Sequence, residues 1–181
     1  MANNCMYEMK VVGSKEAINR VVTCLKAHYN YSVAKPEHKH FFRVFEAYDD
    51  KIEKIGDNTY SVFVWGDCAW SVSSCMLSGA HTYYNDLKKD FPEIFMGTDL
   101  KEQSKDCTIE VFSEETGMGF SEHYIFKNGE CLCDDCVEIE NAGYDEDGNI
   151  TTDIDWDTYD GDWLTINPNK ISPEDTYNWT I

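Results

Sequence analysis

The spacing of apolar residues is the feature that most constrains how this chain can fold. Residues 5–12 are compatible with a β-strand and end at Gly13-Ser14. Ser14 is a typical helix N-cap, and the apolar residues that follow recur at helical spacing: Ala17, Ile18, Val21, Val22 and Leu25. The sequence therefore predicts a first strand and then an amphipathic helix over residues 14–28.

Further strands are predicted where apolar or aromatic residues cluster or alternate. Residues 59–66 alternate most clearly, and Asn128-Gly129 is a strong signal for a two-residue hairpin turn. A second helix is predicted over Met76 to Phe91, because Pro92 disfavours helix at the residue before it. The remaining predicted strands are residues 40–48, 106–112, 119–127 and 131–140.

The resulting order of elements, β-α-β-β-α-β followed by a hairpin, defines a fold class. It predicts an α+β protein with a ferredoxin-like, or split βαβ, antiparallel sheet and two helices on one face. A C-terminal β-hairpin and an acidic extension would complete it. Residues 1–140 are expected to form the domain, and residues 141–181 an extension whose Trp and Tyr residues pack on it.

The acidic charge is concentrated at one end of the chain. The 181 residues have a formal net charge of −19. Residues 1–127 hold 19 acids and 14 bases, whereas residues 128–181 hold 15 acids and one base, Lys170. Charge of one sign repels itself and destabilises a compact state, so this segment calls for a functional reason.

Apolar runs and cysteine placement predict the compartment. No apolar run reaches the ~18–20 residues of a membrane span, and no secretory signal is evident at the N-terminus. We therefore expect a cytoplasmic protein without a membrane partner, whose eight cysteines are reduced. Five of them fall in apolar segments and are expected to be buried as small hydrophobes: Cys5, Cys24, Cys68, Cys75 and Cys107.

The acidic segment predicts a partner-binding surface. Proteins that bind nucleic acid do so through Lys and Arg grooves, and a surface dense in carboxylates can occupy such a groove. In a strand, Asp153, Asp155 and Asp157 would share one face, and nearby tryptophans would add contact area. A solubilising surface is the alternative. The candidate residues are Asp134, Asp135, Glu138, Glu140, Asp145, Glu146, Asp147, Asp153, Asp155, Trp156, Asp157, Asp160, Asp162 and Trp163.

Metal binding has weaker support in the sequence. Cys131, Cys133, Cys136 and His123 are candidate zinc ligands, with one C-x2-C pair among them. In a regular strand Cys131 and Cys133 would share a face and Cys136 would lie on the other, which disfavours chelation. A calcium loop anchored on Gly148 fails at its first and twelfth positions. No metal or other cofactor is therefore expected.

Catalysis and direct nucleic-acid binding are also disfavoured. No Walker loop, G-x-S-x-G or recognised Cys–His motif occurs. The strands carry aromatic residues that could stack bases, but the surrounding chain is acidic. We therefore expect these aromatic residues in the core: Phe41, Phe42, Phe45, Tyr60, Phe63 and Trp65.

Four segments resemble a known family: NNCMYEMKVVGSKEAINRVV at the start, VWGDCAWS, DFPEIF and GFSEHYIFKNGE. Over residues 3–140 the chain resembles the YubB-type ferredoxin-like domains of plasmids and phages. It departs after Trp70, where the family often carries a proline-containing segment and this chain has Ser-Val-Ser-Ser.

The resemblance implies an accessory protein of a mobile element. With the acidic segment, it predicts an inhibitor of a host-defence protein, such as an anti-CRISPR protein that occupies the basic channel of a CRISPR effector nuclease. Two alternatives remain open: a metal-assisted nuclease acting on guide RNA or another nucleic acid, and a non-catalytic structural accessory protein.

Overall fold

The computed structural model describes residues 4–27, 39–77, 97–115 and 117–138. They form an α+β protein with an open, mostly antiparallel sheet, as the order of elements predicts. The strands are β1 (Asn4–Gly13), β2 (Val44–Asp49), β3 (Glu53–Gly56), β4 (Thr59–Ala69), β5 (Cys107–Glu115), β6 (Phe120–Lys127) and β7 (Glu130–Glu138). The described helices are α1 (Lys15–Lys26), α2 (Val72–Met76) and α3 (Leu100–Gln103).

The seven strands form one sheet in the order β2-β4-β1-β5-β6-β7, and β3 pairs with β4 beside β2. Each pairing between these strands is antiparallel. The chain passes from β1 through α1 to β2, and β4 lies between those two strands. From β4 it passes to β5, and β1 lies between them. Both connections are therefore crossovers that skip one strand.

Helix α1 confirms the sequence prediction at its start. The Ser14 hydroxyl accepts a hydrogen bond from the backbone N–H of Ala17 at 3.2 Å, which satisfies one of the donors left over at a helix N-terminus. The face with helical spacing is buried as expected: Ala17, Ile18, Val21, Cys24 and Leu25. Arg20 ties α1 to the segment after α3 through hydrogen bonds to Gln103 and an ion pair with Asp106.

The core lies between the helices and one face of the sheet, which we call the helix side. Alternate β1 residues Cys5, Tyr7, Met9 and Val11 are buried there with apolar residues of α1 and α2. The five cysteines expected in the core are all buried. All eight cysteines belong to the described part of the chain, and each is a free thiol.

A buried carboxylate fixes α2 against the helix side. Glu122 of β6 is 3 % exposed and accepts a hydrogen bond from the backbone N–H of Val72 at 2.8 Å. It also accepts from the backbone N–H of Ser73, the hydroxyl of Ser113 at 2.7 Å and the hydroxyl of Tyr124 at 3.2 Å. A buried carboxylate with this many donors is compensated for its lost hydration, so Glu122 is a structural group.

Two elements of the sequence prediction differ from the structure. Strand β3 was not predicted, because Glu53–Gly56 is short and each residue in it is exposed. Helix α2 ends at Met76, where the second helix was predicted to begin; the rest of that prediction, from residue 78, falls outside the described residues. Within the described ranges, no helix combines the length and apolar character that crossing a membrane requires.

The assignment of all six strand aromatics to the core is partly wrong. Phe41 and Phe42 are buried, but Trp65 is 38 % exposed and Phe45 is 36 % exposed. Tyr60 is half-buried and packs against the core, as expected, whereas Phe63 is half-buried on the other face. Side chains on both faces of β4 are apolar, and only one of these faces can pack against the helices.

Candidate functional site

The sheet face opposite α1, which we call the open face, carries the candidate site. Successive side chains of a strand point to opposite faces, so the even-numbered residues of β1 lie here. The part on β1, β2 and β4 is exposed, whereas residues of β5 and β6 on this face are largely buried. The strand registers order this face in three rows. The first is Glu46, Asp67, Met6, Glu114 and Ser121; the second is Tyr48, Trp65, Glu8, Phe112, His123 and Asp135; the third is Phe63, Lys10, Glu110, Ile125 and Cys133.

The first row, which we call the acidic row, places carboxylates on both sides of an exposed methionine. Met6 is 71 % exposed and pairs with Asp67 on one side and Glu114 on the other. Oδ1 of Asp67 and Oε1 of Glu114 are buried and have no hydrogen-bond partner among the described residues. A carboxylate oxygen in that position costs stability, which marks the row as a place where a donor from outside would bind.

Electrostatics in the acidic row favour a cation. Burial, followed by repulsion from the Glu46 carboxylate, raises the pKa of Asp67 above its ordinary value, and the backbone N–H groups of Glu46 and Asp67 offset part of this rise. Burial also raises the pKa of Glu114. Asp67 is held by Asn4, whose side-chain amide donates to Oδ2 at 2.9 Å. A positively charged group would offset the repulsion and lower both pKa values.

An aromatic platform lies directly beside the acidic row. Tyr48 and Trp65 stack with ring centroids 6.1 Å apart, and Phe63 lies 5.8 Å from Trp65. The Tyr48 hydroxyl donates to Oε2 of Glu46 at 2.6 Å, which links the platform to the acids. Exposed aromatic faces next to carboxylates suit an arginine or lysine side chain, because the rings attract its charge and the carboxylates pair with it.

Gly66 and Tyr7 position the acid at the edge of the platform. The ladder between β2 and β4 shifts register between Val44 and Glu46. The Tyr7 hydroxyl donates to the carbonyl oxygen of Glu46 at 3.0 Å and holds this irregularity. A Cβ at Gly66 would clash with that carbonyl and lie 2.9 Å from Oη of Tyr7. Glycine at position 66 therefore allows the close approach that orients Glu46.

A second cluster lies at the other side of the open face. Sγ of Cys133 is 3.8 Å from Nδ1 of His123 and 3.2 Å from Oδ2 of Asp135. Nε2 of His123 is 2.9 Å from Oε1 of Glu110, whose side chain is fully buried. Burial, then the hydrogen bond to Asp135, raises the pKa of the Cys133 thiol to about 12.

The residues of the predicted zinc set are not all brought together. A register shift between Ile125 and Phe126 makes Leu132 an extra residue, so Cys133 pairs with Ile125 but Cys131 pairs with Phe126 of the core. The expectation that Cys131 and Cys133 share a face is therefore wrong, because the bulge cancels the alternation. Cys136 pairs with Glu122 and lies on the helix side, as alternation predicted.

Few of the predicted partner-binding acids fall in the described chain. Asp135 lies on the open face opposite His123, whereas Asp134 pairs with Tyr124 of the helix side, and both are exposed. Glu138 ends β7. The rest lie outside the described residues: Glu140, Asp145, Glu146, Asp147, Asp153, Asp155, Trp156, Asp157, Asp160, Asp162 and Trp163.

Sequence reasoning missed the acidic row and the platform. Glu46, Asp67 and Glu114 are separated by 21 and 47 positions along the chain, and only the strand order makes them neighbours. A usable signal was present in β4, where Phe63, Trp65 and Asp67 alternate with the buried Val62 and Val64. An acid among the otherwise apolar side chains on one face of a strand indicates that this face is exposed to solvent.

No family model, curated protein or solved structure matches this chain, so an inference about its function rests on the geometry of the open face.

Proposed function

We propose that this protein binds a basic, nucleic-acid-binding protein through its open face and blocks the surface with which that partner holds nucleic acid. The binding module in this proposal is a ferredoxin-like domain of the split βαβ type. The strand order β2-β4-β1-β5 and the two crossovers that skip one strand support that assignment. Strands β6 and β7 extend the sheet beyond β5.

The observation that carries the proposal is the pair of buried carboxylate oxygens in the acidic row. Asp67 and Glu114 each hold an oxygen that no described residue satisfies, and they lie on either side of Met6. Natural proteins satisfy nearly all such atoms, and exceptions concentrate where a ligand completes the network. A guanidinium group presents paired donors that match one carboxylate, so two basic side chains would occupy the two sides of Met6.

The platform beside the acidic row adds affinity for the same chemistry. Tyr48 is 51 % exposed, and Trp65 stacks against it at the edge of Glu46. Trp, Tyr and their acidic neighbours are the groups that dominate binding to arginine-rich surfaces. Met6 supplies an exposed, adaptable apolar contact between the acids.

Charge argues against nucleic acid as the direct ligand of this face. In the three rows, the partly or fully exposed acids at positions 8, 46, 67, 114 and 135 outnumber one lysine, Lys10. A phosphate backbone requires Lys and Arg, so it would be repelled. The same carboxylates would attract a groove that is built to hold phosphates.

The partner that fits this chemistry is a nucleic-acid-binding protein of a host-defence system, with a CRISPR effector nuclease as the proposed example. The resemblance to plasmid- and phage-borne domains motivates that choice. The carboxylates of residues 128–181 would add long-range attraction, because a net charge of −14 in 54 residues draws a basic partner from a distance.

A binding measurement with charge-matched variants tests the proposal. The triple variant Glu46→Gln, Asp67→Asn, Glu114→Gln removes three charges from the acidic row. We expect it to weaken binding to an isolated CRISPR effector nuclease by at least tenfold and to abolish competition with the effector's nucleic acid in a gel-shift assay. Trp65→Ala should weaken binding independently of salt, since it removes a contact and no charge.

The control variant removes the same number of charges at exposed positions outside the rows of the open face: Glu16→Gln on α1, Asp57→Asn in the β3–β4 turn and Asp134→Asn on the helix side. It should lower the association rate slightly and leave the dissociation rate unchanged. Equal losses in the two triple variants would show that only net charge matters and would overturn the assignment to the open face. Cleavage of labelled RNA by the protein alone, lost with EDTA, would contradict a purely inhibitory role.

A further inference from the structure

We propose that His123, Cys133 and Asp135 form a binding site for one zinc ion and supply three of its four ligands; among the described residues no fourth ligand lies with them. The site is independent of the acidic row and of the function proposed above. It combines a nitrogen, a sulfur and an oxygen donor, all of which zinc accepts in proteins.

Strand pairing brings the three donors together. His123 of β6 and Asp135 of β7 are direct cross-strand partners. Cys133 lies two residues before Asp135 on the same strand, so its side chain projects to the same face. The candidate ligand atoms of the three residues all lie within 4.8 Å of one another. Two strands of a rigid sheet thus supply three ligands from one small patch.

The distances fit a tetrahedral ion. Zinc bonds of about 2.3 Å to sulfur and about 2.0–2.1 Å to nitrogen or oxygen hold the ligand atoms of a tetrahedron roughly 3.6 Å apart. Sγ of Cys133 lies 3.8 Å from Nδ1 of His123 and 3.2 Å from Oδ2 of Asp135. Ligand shifts of a few tenths of an ångström would therefore complete the site.

Glu110 is the second, independent indication of a metal site. Its fully buried carboxylate accepts a hydrogen bond from Nε2–H of His123 at 2.9 Å. With the proton on Nε2, the lone pair of Nδ1 is directed to the side of the ring where Cys133 lies. Carboxylates that fix the far nitrogen of a ligating histidine in this way are typical of zinc sites.

The bulge at Leu132 selects one cysteine of the CLCDDC segment. Cys131 pairs with Phe126, and its thiol donates to the carbonyl oxygen of Cys133 at 3.1 Å. Cys136 lies on the helix side opposite Glu122. Neither thiol belongs to the group of donors that lie within 4.8 Å of one another, so the structure assembles the N/S/O set rather than a set of three cysteines.

Cobalt titration of the full-length reduced protein tests the site. Co²⁺ substitutes for zinc and gives a thiolate-to-cobalt charge-transfer band with the intense visible bands of a tetrahedral centre. We expect both to saturate at one equivalent of metal and to disappear when one equivalent of Zn²⁺ is added. The acidic extension can bind Co²⁺ only through oxygen, which produces no charge-transfer band.

Single-cysteine variants provide the matched comparison. Cys133→Ser and His123→Ala should each abolish the charge-transfer band, whereas Cys131→Ser and Cys136→Ser should leave it intact. Glu110→Gln should weaken cobalt affinity by about 10–100-fold while the band persists at saturation. A role for Glu110 in folding alone would leave the affinity unchanged, and circular dichroism reports the fold of each variant.

Two results would overturn the proposal. One is a wild-type titration with no charge-transfer band at one equivalent of Co²⁺. The other is a band that survives Cys133→Ser but disappears with Cys131→Ser or Cys136→Ser, which would assign the sulfur ligand to the wrong side of the bulge.

Discussion

Buried carboxylates on the two faces of the sheet differ in whether hydrogen-bond donors satisfy them. On the helix side, Glu122 accepts hydrogen bonds from two backbone amides and two hydroxyls. On the open face, Asp67 and Glu114 each bury an oxygen that has no partner among the described residues. Both arrangements are built from the same strands, and β6 supplies Glu122 to one face and Ser121, beside Glu114, to the other.

This difference separates a group that holds the fold from groups available to a partner. A satisfied carboxylate stabilises only the state in which its donors are in place, so Glu122 favours the native packing of α2. An unsatisfied one lowers stability until a donor arrives, so the free protein carries a cost that binding removes. Changes at the two kinds of site should therefore move stability in opposite directions.

The largest effect is expected at Glu122. Glu122→Gln replaces an acceptor oxygen by an NH₂ group that faces backbone N–H donors, and it should lower the free energy of unfolding by about 3 kcal/mol. Urea denaturation monitored by circular dichroism measures this. Ser113→Ala, which removes one of the donors, should cost only about 1 kcal/mol. Equal costs would mean that Glu122 is not the centre of the network.

Gly66→Ala comes next and should affect both faces at once. The added methyl group would clash with the carbonyl oxygen of Glu46 and press on Oη of Tyr7. We expect a loss of about 2–3 kcal/mol in unfolding free energy, and weaker partner binding because Glu46 moves. Gly56→Ala is the control, since a Cβ there would meet Thr59 no closer than 3.4 Å. Preserved stability would show that the irregularity in β2 relaxes freely.

Asp67→Asn should stabilise the free protein while weakening it as a binder. The pKa of Asp67 is higher in the folded state than in the unfolded state. As pH rises, the unfolded state ionises first, so the free energy of unfolding falls until the pH passes the folded-state pKa. Removing the charge should add about 0.7 kcal/mol at pH 7, discounted for partial solvation, and nothing below about pH 4. Denaturation curves at the two pH values measure the gain. If the variant were less stable than the wild type at pH 7, the Asp67 charge would not be destabilising the free protein.

Asp106 should show the opposite pH dependence and the smallest effect. A hydrogen bond from Arg20 lowers the pKa of Asp106, so its contribution is present above the unfolded pKa of about 4 and is lost as pH falls through the lower folded value. Asp106→Asn should cost about 0.4 kcal/mol at pH 7, since the pair is exposed. Asp50→Asn, at another exposed position, controls for net charge. An unchanged difference at pH 2 would rule out the ion pair as its cause.

Local signals in the sequence predicted much of the fold. Ser14 and the apolar spacing behind it predicted α1, and the alternation of β4 predicted that strand, because both depend on residues close together in the chain. The α+β class with an antiparallel sheet is confirmed, whereas the ferredoxin-like arrangement stays a prediction. Strand β3 could not be predicted, because none of its residues is buried and its pairing with β4 is its main determinant.

The candidate sites were harder to predict for two physical reasons. The acidic row depends on non-local strand order, which no local pattern encodes. The zinc cluster depends on a bulge: in a regular strand, alternation would group Cys133 with Cys131, and the extra residue Leu132 separates them. The sequence did indicate His123 and Cys133 as neighbours, because Asn128-Gly129 pairs their strands. It did not indicate Glu110, which reaches His123 only from β5.

Strand β7 has a consequence for how the protein behaves at high concentration. Among the described strands it pairs with β6 alone, and its exposed residues include Glu130, Asp134 and Asp135. If a second copy paired its own β7 with this edge strand, carboxylates would face carboxylates. Their repulsion would disfavour edge-to-edge assembly of identical chains. A lysine-rich strand of another protein would meet no such barrier. The acids of β7 therefore discourage self-association at this edge and favour cationic chains over copies of this one.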